Sequence, residues 1–206
     1  MKKILITSLA LIGGAGLCSA AYGAITSSAH DFGSSGWNTT GRICIVCHAP
    51  HNNLDVTDAP LWNHEITTAT YTLYASPTLT ATDIEQPGGV SKLCLSCHDG
   101  TVAIDAFSGE TGTHTITESR NLGTDLGNDH PVSFTYDSSL ATEDGGLFDP
   151  VATPSGIAGG SIDEDMLFDG KMECASCHDV HNKYGEENLL KLYNGGSALC
   201  LTCHAK

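Results

Sequence analysis

The sequence predicts a mostly irregular, loop-rich fold with short α-helices at four repeated motifs and a few short β-strands. Three observations predict it. The pattern C-x-x-C-H occurs at Cys44–His48, Cys94–His98, Cys174–His178 and Cys200–His204. The connections between these motifs are rich in glycine, threonine, serine and aspartate, with 23 glycines in 206 residues. Such residues favour turns over regular ladders. Large apolar side chains are scarce, aromatics being only 6% of the chain, so an ordinary core is poorly supplied.

The motif itself carries the chemistry. C-x-x-C-H is the attachment signature of c-type haem. Cysteines three apart share one face of a helical turn, where both sulfurs can bond the vinyl groups of one porphyrin. The histidine that follows is then held under the iron as its proximal ligand. Zinc sites and redox dithiols share the cysteine spacing but do not require a histidine after every pair. Cys44 with Cys47, Cys94 with Cys97, Cys174 with Cys177, and Cys200 with Cys203 therefore read as attachment points for four haem c groups. His48, His98, His178 and His204 read as their proximal ligands. Porphyrin faces would supply the missing apolar surface, giving a haem-packed multihaem cytochrome c architecture. The haem-free chain is then expected not to fold.

Lys2 and Lys3 precede an apolar run from Ile4 to Leu17 and small residues from Cys18 to Ala24. This reads as a signal peptide over residues 1–24, cleaved between 20 and 24. The run is broken by Gly13, Gly14 and Gly16 and is too short to span a bilayer, and no later stretch is long enough. A single domain over 25–206, exported to the periplasm or the cell surface, is the expectation. Cys18 raises a lipoprotein reading, against which Leu17 stands where a small residue is usual. Eight of the nine cysteines lie in the motifs, leaving none in the mature chain for a disulfide. The net charge of −15 becomes −17 once Lys2 and Lys3 are removed. That balance disfavours nucleic acid and anionic membrane surfaces as partners. It leaves other redox proteins and extracellular acceptors such as metal oxides.

The remaining elements follow in order. Ser91 is expected to cap a helix carrying Leu93 and Leu95 into the second motif. Residues 54–90 read as loop apart from a short strand over 71–74. Further strands are expected over 113–117 and 131–136, with a surface loop over 141–165. Glu186–Tyr193 reads as a two-turn helix with Leu189, Leu190 and Leu192 inward, ended by Gly195-Gly196. Ser197 is expected to cap the turn of the fourth motif. Trp62 reads as packing against a porphyrin edge or the small core.

Ten histidines less four proximal ones leave His30, His51, His64, His114, His130 and His181. Four irons need four sixth ligands, so supply exceeds demand. His51 and His181 each follow a motif histidine by three residues and should project toward a different haem. His130 is held by the turn residues of Asn128-Asp129-His130-Pro131. His64 is an alternate distal ligand or a supporting residue, and His114 reads as a surface or pairing residue. Met166 and Met172 are poor ligands, Met172 lying two residues before Cys174. Bis-histidine coordination lowers the potential and closes the iron, favouring electron transfer over catalysis, with no catalytic residue. A nitrite-type reductase would need an open iron, often marked by lysine in the histidine place, and all four motifs are unaltered.

With C-x-x-C-H-x-x-H at 44–51 and 174–181, Asn128-Asp129-His130-Pro131, and the ending Leu199-Cys200-Leu201-Thr202-Cys203-His204-Ala205-Lys206, the chain resembles the multihaem c-type cytochromes of metal-reducing bacteria. It is most similar to tetrahaem extracellular cytochromes that polymerise into filaments (OmcE type), and more distantly to the hexahaem OmcS type. The resemblance implies distal ligation by His30, His130 and His181 within one chain. It also implies a homopolymer in which His51 ligates a haem of the next copy. The alternative is a soluble periplasmic tetrahaem shuttle built from the same sites.

Overall fold

The computed structural model describes residues 25–116 and 118–205. The signal segment, its cleavage zone and Cys18 lie outside the described residues, as does Thr117. The chain is loop-rich, as expected. Its helices are short: α1 (Gly89–His98), α2 (Ser138–Asp144), α3 (Ile162–Met166), α4 (Cys174–Cys177) and α5 (Cys200–Cys203). The one sheet among the described residues pairs β1 (Phe134–Thr135) antiparallel with β2 (Lys171–Met172), Phe134 facing Met172. No helix among these residues is long and apolar enough to cross a membrane.

The expected surface loop at 141–165 is a correction, because it holds two helices that build the main core. Asp137 accepts a hydrogen bond from Leu140 N (2.8 Å) to start α2, and Gly145 at φ 67° ends it. α3 starts with a capping box. Ser161 Oγ accepts from Glu164 N (3.3 Å), and Glu164 accepts from Ser161 N (2.9 Å). Ile162 and Met166, four apart and so on one face, are 0% and 1% exposed. They pack with Phe134, Tyr136, Met172 and Cys203, joining the sheet to the last motif. Two smaller clusters gather Ala59, Trp62 and Leu93, and Tyr71, Leu95 and Leu126.

Three expected strands shorten or vanish, two of them because side chains capture the backbone groups a ladder would use. At Tyr71 the Gln86 amide takes both N–H (2.7 Å) and carbonyl (2.9 Å), leaving Thr72 in a lone bridge with Asp125. At 113–116 the Asp105 carboxylate accepts from the N–H groups of Thr113 and His114, both at 2.8 Å. The strand expected over 131–136 contracts to β1, since Pro131 has no N–H and Ser133 sits at φ 60°.

The expected two-turn helix at 186–193 is also corrected to a 3-10 turn at Glu187–Leu189. Asn188 (φ 57°) and Leu189 (φ 58°) are left-handed, which a continuing helix excludes. Leu190 and Leu192 still pack on the main core. Gly195-Gly196 open another 3-10 turn instead of ending a helix. Ser197 does not cap α5; Asn194 Oδ1 accepts from Leu199 N instead (3.3 Å). α1 likewise is preceded by Gly88 and not capped by Ser91, whose hydroxyl is engaged elsewhere.

Candidate haem-binding sites

Each motif closes on itself by the same main-chain bond. The histidine N–H donates to the first cysteine's carbonyl at His48 (2.8 Å), His178 (3.1 Å) and His204 (3.0 Å), while His98 ends α1. The first motif starts in a 3-10 turn, Cys44–Val46, and the other three lie in α1, α4 and α5. All eight motif cysteines are free thiols.

Burial, reinforced by Cys44, pushes the Cys47 thiol up to about 11. Burial also pushes up Cys97 and Cys203, each to about 12, with Cys47 acting on Cys97 and Cys177 on Cys203. The Cys94 thiol hydrogen-bonds Cys174, which holds Cys94 up and Cys174 down. After burial, Cys200 is the next influence raising Cys177.

The histidines meet in pairs. His98 faces His30 with ring centres 6.1 Å apart, His48 faces His181 at 6.3 Å, and His204 faces His130 at 6.4 Å. Two imidazoles bound on opposite sides of one first-row metal, each nitrogen at about 2 Å, place their ring centres roughly 6 Å apart. The His48 and His181 rings are nearly parallel (15°), whereas His204 and His130 are nearly perpendicular (75°).

Second partners fix the rings in the way metal ligands require. Nδ1 donates to a main-chain carbonyl at His48 (Pro60, 2.8 Å), His98 (Arg120, 3.0 Å) and His178 (Asn188, 3.0 Å). His130 Nδ1 does the same toward Pro131 O (2.9 Å). With Nδ1 engaged, Nε2 is left for a metal. His30 differs, its Nδ1 being buried without a hydrogen-bond partner. Burial first, and His98 next, push its pKa down to about 4, so the ring stays neutral and able to ligate at neutral pH.

His51 is exposed, and among the described residues neither it nor His178 faces another imidazole. His64 is fully buried, its ring nitrogens against the carbonyls of Glu65 (2.8 Å) and Ala103 (3.0 Å). Its Nε2 also lies 3.4 Å from Cys97 Sγ, so it supports the second motif. His114 pairs with Asp105 at 2.7 Å. Trp62 meets the His48 ring edge-on at 6.3 Å within the second cluster.

Sequence reasoning passed over several supporting residues. Asp99, directly after His98, accepts from Tyr71 OH (2.6 Å), Thr67 Oγ1 (2.7 Å) and Thr101 N (2.7 Å). Burial alone would raise its pKa, but these bonds outweigh it and hold the carboxyl below the ordinary value. Asn63 ties the first motif down, accepting through no side-chain atom there but donating Nδ2 to Ile45 O, and its N–H to Cys47 O (2.9 Å). Glu173 links the second and third motifs. Only Asn63 had a signal, its place between Trp62 and His64.

The residues present fit covalently held haem. Free cysteine pairs, imidazoles at iron-spanning separation, carbonyl-anchored Nδ1 atoms and the orphaned His30 nitrogen all suit that group. Residues 167–206 match the family described as the doubled CXXCH motif, a stretch covering the third and fourth motifs. No curated protein matches the chain. The family match supports a multihaem c-type cytochrome acting in electron transfer.

Proposed function

We propose that the protein is an extracellular electron conduit holding four haem c groups, assembled from copies of itself. Haem c bound at these sites supplies reversible one-electron iron chemistry. The chain's part would be to hold each iron by imidazoles and each porphyrin by a cysteine pair. His48 with His181, His98 with His30, and His204 with His130 would hold three irons within one chain. Neutral imidazoles on both sides favour low potentials and leave no open position for substrate.

The observation that carries the polymer reading is what remains. Among the described residues no imidazole faces His178, and His51 is exposed without one. His51 of one copy completing the iron held by His178 of the next joins these two residues and yields a heterologous, repeating contact. His51→Ala is the test. The variant is expected to retain four haems by mass and to form no filaments in negative-stain images, while the parent protein does. Monomeric parent protein under conditions of full haem loading would favour the periplasmic shuttle instead.

A further inference from the structure

The motifs at 94–98 and 174–178 lie far apart in the chain, and nothing within either one sets the distance between them. The fold brings them together at one buried group. Glu173, 4% exposed, stands immediately before Cys174, and its carboxylate Oε2 accepts hydrogen bonds from Ser91 Oγ of α1 and from Ser133 Oγ (3.1 Å). Ser91 Oγ in turn accepts from Cys174 N (2.9 Å), while Glu173 N donates to Ser176 Oγ (2.9 Å). The three serines are 0–3% exposed.

We infer that Glu173 is a positioning residue that sets the junction between the second and third haem sites. Gly88, at the start of α1, has no side chain to cap the helix, and the Glu173 carboxylate stands at that end instead, beside Gly89 and bonded to the Ser91 hydroxyl. A carboxylate at a helix N-terminus meets both unpaired N–H groups and the favourable end of the helix dipole. Gly89, at φ 47°, holds a left-handed backbone that favours glycine at the start of α1, and Glu173 Oε1 lies alongside it. One side chain therefore caps the helix that ends in the second motif and precedes the helix that begins the third. Cys174 N is bonded to the hydroxyl of Ser91, three residues before Cys94, so the placement of Glu173 governs how the two attachment points abut.

This inference rests on both motifs carrying haem, and the experiment separates the two. The full-length haem-loaded protein is compared with Glu173→Ala, Glu173→Gln and Ser91→Ala by haem count from intact mass and by Soret-region circular dichroism of the reduced state. The dichroism couplet reads the relative placement of neighbouring haems. With four haems retained, Glu173→Ala and Ser91→Ala are expected to lose couplet amplitude. Glu173→Gln, whose carbonyl oxygen can accept from both hydroxyls, is expected to keep it. A wild-type couplet in Ser91→Ala or in Glu173→Ala overturns the inference, as does equal loss in Glu173→Gln, which would make charge and not placement the cause. If Glu173→Ala does not accumulate, Ser91→Ala and Glu173→Gln decide alone. Fewer than four haems in the parent protein would instead fail the reading on which the inference stands.

Discussion

At the residue scale, the candidate distal histidines differ in burial, in what holds Nδ1 and in what faces the ring. His130 faces His204 with its Nδ1 tied to Pro131 O, so His130→Ala should open the iron that His204 would hold without touching an attachment point. The reduced variant is expected to bind about one more carbon monoxide per chain than the parent protein, as titrated by the Soret shift. Asp99 offers a stability test. Asp99→Ala leaves the buried Tyr71 and Thr67 hydroxyls without their acceptor and should cost about 3 kcal/mol in denaturant unfolding. The motif histidines were legible as candidate proximal ligands because attachment chemistry demands neighbours in sequence. The pairing of His30 with His98, or of His48 with His181, was not, because the fold alone brings those rings together.

At the element scale, pH dependence separates Glu173 from the other carboxylates. Burial, its largest influence, raises Glu173 above the ordinary 4.5, so the folded state binds this proton more tightly than the unfolded chain. Its contribution is complete below 4.5 and is lost as pH rises through the raised folded value. Glu173→Gln should therefore flatten the fall in stability with rising pH above 4.5, measured by thermal unfolding across that range. α3 makes a second element-scale case. Ser161→Ala should cost about 1 kcal/mol by removing the cap, whereas Met166→Ala should cost about 3 kcal/mol by opening the main core. Ser161-x-x-Glu164 was a readable helix start, hidden by the glycines and prolines that precede it. The lost strands were less readable, since Gln86 and Asp105 capture the backbone from 15 and 8 residues away.

At the scale of the whole molecule, the described core divides into three small clusters, each with motif residues in it or packed against it. The loop-rich class was legible from composition and from the repeated motifs. The order of the sites was not, because it arises from junctions such as Ser91–Glu173 that link distant segments. Three of these carboxylates, Asp105, Asp149 and Asp165, are held below the ordinary 3.8 despite burial at some, by hydrogen bonds from His114, Ser138 and Ser155. Each adds stability above 3.8 that is lost as pH falls through its lowered value. The central claim, however, concerns one iron. Electron paramagnetic resonance of isolated, fully loaded monomer should count three bis-histidine irons and one, held by His178, without a histidine opposite. On assembly that fourth iron should convert to the bis-histidine form. Four bis-histidine irons in the monomer would contradict the account.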